Sequence, residues 1–142
     1  MGGGGINRLR GGAGNDTLTG GDRNDLIRGG AGNDTIDGGL RHDRLFGDGG
    51  DDEINGSAGN DFIQGNDGAD RIVSFSGDDR IIGADGDDEI DTGVGNDVVT
   101  YNSNRSAFTV FGDTDGAIGI RDDSGTEGTC LLYTSPSPRD RG

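Results

Sequence analysis

Lysine and tryptophan are absent from the 142 residues, histidine and cysteine occur once each, and proline occurs twice. Without lysine no P-loop can be built, and a single histidine cannot supply an HExxH zinc site. No GxSxG nucleophile elbow occurs either, so this stretch offers no footing for catalysis and is not expected to be an enzyme. One cysteine cannot staple a disulfide scaffold. Apolar residues make up 27% and aromatics 5%, too few to fill an ordinary globular core in what the length suggests is a single domain. No apolar run approaches the roughly 18 residues of a membrane span. No charged-then-apolar segment opens the chain, so an amino-terminal signal peptide is not expected. Positive charge is scarce: 12 arginines stand against 27 acidic residues, for a net charge of −15. Such a surface repels a phosphate backbone, which argues against a nucleic-acid partner and for multivalent cations.

What is abundant is glycine, 32 residues of it, and it is strictly placed. A period of nine runs without insertion from Gly2 to Thr100, making eleven units. The clearest are GGAGNDTLT from Gly11, GGAGNDTID from Gly29, GSAGNDFIQ from Gly56 and GADGDDEID from Gly83. Position 8 is always aliphatic, from Leu9 and Leu18 through Ile27, Ile36, Leu45, Ile54, Ile63, Ile72, Ile81 and Ile90 to Val99. Position 6 is Asp in every unit but the first, where it is Asn7. Position 4 is Gly except at Arg23 and Arg41, and position 1 is Gly except at Ser74 and Thr92.

Positions 1 to 6 hold the residues that tolerate positive φ and let the chain turn tightly, so they read as a turn. Positions 7 to 9 read as a very short strand with one aliphatic facing inward and its neighbours outward. Two units close a coil of 18 residues, and stacked coils set equivalent side chains roughly 4.8 Å apart. One edge then carries Asp16, Asp34, Asp52, Asp70 and Asp88, and the other Asp25, Asp43, Asp61, Asp79 and Asp97. Carboxylates at that spacing repel by roughly 1 to 3.5 kcal/mol per pair at effective dielectrics between 80 and 20, so the columns need cations. Their phase with the aliphatic row argues against a merely solvated acidic linker. Carboxylates with turn carbonyls, placed at Gly12, Gly14, Gly30, Gly32, Gly50, Gly59, Gly68, Gly77, Gly86 and Gly95, make an all-oxygen cage. Such a cage suits several Ca2+ ions better than Mg2+. On the second edge Arg23 and Arg41 stack, and each has a Cβ that penalises a left-handed turn, so the Asp25 and Asp43 site is expected to be weak or empty, with the two guanidinium groups partly neutralising the carboxylates in place of the ion. His42 falls in a turn where Asn is usual and reads as a surface residue. The segment DTDG at Asp113–Gly116 echoes an EF-hand loop but lacks its later ligands and reads as a hairpin turn.

These units resemble the RTX, or haemolysin-type, calcium-binding repeat GGxGxDxUx of secreted bacterial toxins, proteases, lipases and adhesins. The resemblance covers Gly2 to Thr100. It implies an all-β fold, a parallel β-roll (a right-handed β-helix of 18-residue coils), with calcium between successive turns. It also implies folding outside the cell and export by a type I system. Residues 101–129 look like the flank that follows such rolls, a C-terminal β-hairpin in which AFTVF and AIGIR alternate around a turn at Gly112–Gly116.

Residues Cys130–Asp140, CLLYTSPSPRD, have no relation to what precedes them and match the translation of a transposase-library adapter. Residues 130–142 are therefore expected to be foreign, and the chain a fragment. Three roles stay open: a calcium-folded export module of a missing N-terminal cargo domain, a spacer of an adhesin or surface-layer protein acting at a cell surface, or the C-terminal part of a secreted enzyme or toxin. All three place it outside the cell.

Overall fold

The computed structural model describes residues 4–100, and beyond them the backbone of three strands, 108–112, 118–122 and 131–134. The first eleven strands are β1 (Arg8–Ala13), β2 (Thr17–Gly21), β3 (Leu26–Ala31), β4 (Thr35–Leu40), β5 (Arg44–Gly49), β6 (Glu53–Ala58), β7 (Phe62–Asp67), β8 (Arg71–Val73), β9 (Arg80–Asp85), β10 (Glu89–Gly93) and β11 (Val98–Thr100). Odd-numbered strands form one parallel sheet in the order β1-β3-β5-β7-β9-β11, and β2 to β10 line up in a second. Each strand pairs with the one two units away, so Leu9 stands beside Ile27, Ile27 beside Leu45 and Ile36 beside Ile54. The chain is thus a parallel β-roll of 18-residue coils.

The core is the seam between the sheets. Ile27, Ile36, Leu45, Ile54, Ile63, Ile72, Ile81 and Ile90 are each at most 1% exposed, while Leu9, Leu18 and Val99 cap the row half-covered. Positions 7 and 9 face outward, as the exposed, buried, half-buried alternation of Arg44, Leu45 and Phe46 illustrates.

The strands are longer than the three residues expected. Most of them run on through positions 1 to 3 of the next unit, and the turn shrinks to positions 4 to 6. The ladder continues because Gly12 pairs with Gly30 and Gly30 with Asp48, so backbone N–H and C=O groups that a turn would leave exposed are satisfied. The cost is a left-handed residue at position 2 of the longer strands, adopted even by Asp48, Ser57, Asn66 and Ala84, and by Phe75 just past β8.

Past the roll, β12 (Phe108–Gly112) and β13 (Ile118–Asp122) pair antiparallel. The turn between them, residues 113–117 with the DTDG segment, lies outside the described residues. β14 (Leu131–Thr134) belongs to the stretch expected to be foreign, yet it lies parallel to β10. An open sheet edge accepts any extended segment, because the unpaired backbone groups, not the side chains, do the pairing.

Candidate metal sites at the two edges of the roll

Each coil turns twice, and each turn ends on a position-6 Asp pulled inward by the aliphatic two residues on. Asp25, Asp34, Asp43, Asp52, Asp61, Asp70, Asp79 and Asp88 are only 1 to 3% exposed. One oxygen of each carboxylate has a fixed partner. The N–H of Asp16 donates to Asp34 Oδ1 at 2.7 Å, that of Asp34 to Asp52 Oδ1 at 2.8 Å and that of Asp52 to Asp70 Oδ1 at 2.9 Å. On the other edge Asp25 donates to Asp43, Asp43 to Asp61, and Asp61 to Asp79, at 2.7 to 2.8 Å. The stacking of both Asp columns is therefore built into the backbone.

The second oxygen is orphaned. Asp16, Asp25, Asp34, Asp43, Asp52, Asp61, Asp70 and Asp79 each have a buried Oδ2 with no hydrogen-bond partner. A buried polar atom left unpaired costs about 1–3 kcal/mol, and more when it is charged. These oxygens lie against the position-1 glycines: a Cβ on Gly11 would stand 2.5 Å from Asp16 Oδ2 and 2.6 Å from the Gly29 carbonyl oxygen. Carboxylate and carbonyl oxygens thus converge where only glycine leaves room. The two exceptions at position 1 carry hydroxyls, Ser74 beside Asp79 and Thr92 beside Asp97, and that of Ser74 donates to the Thr92 carbonyl at 2.7 Å.

The candidate glycines occupy the turns as their spacing suggests. Gly14, Gly32, Gly50, Gly59, Gly68, Gly77, Gly86 and Gly95 have φ between 102° and 155°, and Gly12 and Gly30, at position 2, are at 124° and 125°. Their carbonyls run along the stack: a Cβ on Gly32 would meet the Gly14 carbonyl at 2.5 Å, and the Gly12 carbonyl faces Gly30 in the same way. Among the described residues no three acidic, cysteine or histidine side chains converge on one point. A cation at either edge would therefore take at most two carboxylates and draw its other ligands from the backbone. The orphaned, all-oxygen donor set fits a hard, flexible-coordination ion of the calcium type.

Burial is the main electrostatic cause at these sites, and stacked neighbours add to it. It pushes Asp43 and Asp52 from 3.8 up to about 6, and Asp61 and Asp70 up to about 7, against the pull of the backbone N–H each accepts. Asp79 and Asp97 are raised for the same reason.

Arg23 and Arg41 behave differently from each other. Arg41 keeps the left-handed turn at φ 80°, while Arg23 is not among the positive-φ residues. A non-glycine residue in that region costs about 1 kcal/mol or more. Arg41→Gly should therefore raise the midpoint of a denaturant melt in calcium by relieving that cost, whereas Arg23→Gly relieves no such cost and should shift the midpoint less. Equal shifts for the two variants would sink this account.

Position 5 carries a second ladder that the spacing did not reveal. Asn15 Oδ1 accepts the N–H of Asn33 at 2.9 Å, and Asn33 Oδ1 that of Asp51 at 3.1 Å. His42, expected to be a plain surface residue, is exposed but occupies a rung: its Nδ1 accepts the N–H of Asn60 at 2.8 Å.

The family model described as RTX calcium-binding nonapeptide repeat matches residues 1–36, 10–45, 19–54, 46–74 and 64–99. No match is found among curated proteins.

Proposed function

The chain belongs to the RTX calcium-binding nonapeptide repeat family, and from that premise we propose that it is a calcium-folded module of a secreted bacterial protein, exported by a type I system. RTX repeats imply calcium binding, proteins that carry them are typically secreted, and a repeat roll of this kind is structural rather than catalytic. The observation that carries the reading is the set of eight buried Asp Oδ2 atoms without a hydrogen-bond partner. We assign them, with the position-4 carbonyls and those of Gly12 and Gly30, as the calcium ligands of the two edges. Bound calcium supplies the positive charge that lets stacked carboxylates stay buried and ionised. The chain's own part is to hold one oxygen of each carboxylate on a neighbouring N–H, so that the other points at the ion. The Asp25 and Asp43 site is the weakest of the set, because the Arg23 turn does not adopt the left-handed conformation of its neighbours.

In a secreted protein this arrangement links folding to compartment. A chain short of calcium stays extended and threadable, and the ion-rich exterior closes the roll. The partners are thus calcium, a cargo domain on the amino-terminal side and, where the roll displays that cargo, a cell surface.

Equilibrium titration tests the site assignment. At pH 7.5 the chain should bind several calcium ions, with magnesium a poor substitute. Binding should weaken steeply on acidification. In the calcium-free roll the carboxyls are raised from 3.8 to about 6 or 7, so their protons must leave before an ion enters. For the ion-free chain the sign is opposite. Raised carboxyls leave the buried Asp columns neutral at low pH, and the charge penalty grows as pH rises from about 4 to about 7. Calcium binding that is stoichiometric and pH-independent down to pH 5 would contradict the assignment.

A further inference from the structure

The outward faces of the two sheets carry opposite charge. At positions 7 and 9 the sheet of β1 to β11 presents Arg8, Arg10, Arg28, Arg44 and Arg80, against three carboxylates, Asp48, Asp67 and Asp85, further along the same strands, so the face stays net basic. The same positions of the other sheet present Asp37, Glu53, Glu89 and Asp91 with a single cation, Arg71. Period nine does not require this segregation, because both sheets are built from the same unit.

The basic face is ordered by rings as much as by counter-ions. Arg44 and Arg80 lie over the Phe62 ring, 5.6 and 5.9 Å from its centre, and Arg28 lies 4.9 Å from the centre of Phe46. The two rings are 5.8 Å apart and tilted, so one cluster spans four adjacent coils. Arg28 has Asp48 at 3.6 Å, but among the described residues neither Arg44 nor Arg80 meets a carboxylate. On the opposite sheet two shallow grooves flank Arg71, one lined by Val73, Glu89 and Asp91, the other by Glu53, Asn55 and Phe75. Guanidinium groups held flat on rings face one way, and carboxylate-lined grooves the other.

We propose that the basic sheet of one copy docks on the acidic sheet of a second copy, so that calcium-loaded rolls stack sheet to sheet. Both faces repeat at the same strand spacing, about 4.8 Å, so charges in register on one coil stay in register along the stack. The proposal rests on the calcium reading above, because a chain carrying −15 would repel its own copies until ions at the edges offset that charge. The smaller, acidic face formed by β2, β4, β6, β8 and β10 covers roughly 400 Å², so a pair buries on the order of 800 Å², the size of a weak, transient contact. Association is accordingly reversible and concentration-dependent. The contact is heterologous, the basic face of one copy on the acidic face of the next, so it leaves a free face of each kind and grows as an open stack.

Sedimentation velocity of the full chain in calcium tests this, with circular dichroism and calcium stoichiometry followed on the same samples. The expected result is a weight-average mass that rises with protein concentration at low salt and returns to that of a monomer as salt screens the faces. Arg44→Glu with Arg80→Glu makes both faces acidic, and Glu53→Arg with Glu89→Arg makes both basic. Each double variant should stay monomeric alone, and the equimolar mixture should associate at least as strongly as the parent chain. Should a charge reversal disturb folding, Arg44→Gln with Arg80→Gln provides the milder loss of association, expected to be tenfold or more. A parent chain that folds and binds calcium yet stays monomeric at low salt overturns the stacking and leaves the calcium reading intact. So does a chain that is monomeric until a soluble acidic polysaccharide is added and binds it, since that outcome gives the basic face to a glycan. A chain that neither binds calcium nor gains strand structure overturns both.

Discussion

In chelator the chain should show no strand-rich cooperative melt, and millimolar calcium should restore one. The seam supplies one inward aliphatic per nine residues, each contributing about 1.5–3 kcal/mol when fully buried. Ordering the backbone costs about 1–2 kcal/mol for every residue fixed. Ladder hydrogen bonds narrow the difference, since the inner strands of both sheets are paired on both sides, but the carboxylates oppose closure. The eight orphaned Oδ2 atoms are excluded from water and have no partner within the protein. An ion that satisfies them converts its binding energy into folding energy, as in small metal-dependent domains. Far-ultraviolet circular dichroism through a calcium titration, repeated with magnesium, measures the transition. A cooperative, strand-rich melt that is the same with and without chelator would refute the idea that calcium drives folding.

Much of this was legible in the residues, and the part that was not has a physical reason. The Asp and aliphatic rows recur at fixed phase, so on their own they define the coil, the inward face and both Asp columns. Ile36 beside Ile54, and Asp34 accepting from Asp16 one coil back, follow from the 18-residue coil alone. Strand length did not follow. Glycine at positions 1 and 2 signals a turn by composition, whereas here it keeps the ladder going past a carboxylate that leaves no space for a Cβ. The left-handed residue at position 2 is hidden for a related reason. Asp48 and Asn66 adopt it where pairing on both sides over-determines the backbone, and no side-chain type announces that. The outer ladder at position 5 is equally silent, since Asn, Asp and His accept the same N–H and look interchangeable with solvent-facing turn residues. The charge segregation of the two sheets needs the alternation of units between sheets to become visible, because it is invisible within any one repeat.

Ile54→Asp should abolish calcium-induced folding, while Asn55→Asp, one residue on, should leave it nearly intact. Ile54 is 1% exposed and sits between Ile36 and Ile72 in the seam, with no polar group in the row to receive a charge. A carboxylate there would lose its hydration with nothing in return, an effective penalty of several kcal/mol, which is a large fraction of the stability of any small domain. The ion cannot rescue it, because the calcium ligands line the edges and the seam offers no carbonyls that are not already in a ladder. Asn55 points outward, half-buried, with the Ser57 hydroxyl 3.0 Å from its Oδ1 and 3.1 Å from Asp37 Oδ1, so a carboxylate there would face Asp37 across the ladder at a solvent-screened cost of about 1 kcal/mol. Ile54→Val separates the two effects, because it removes one methyl group from the same site at a cost of about 0.5–1.5 kcal/mol and keeps the row apolar. It should fold at a slightly higher calcium concentration. Since a strand alternates its side chains strictly, exchanging the behaviour of positions 54 and 55 would require the whole strand to shift by one residue. Wild-type calcium dependence for Ile54→Asp, with loss of folding for Asn55→Asp, is the result that would establish that other register.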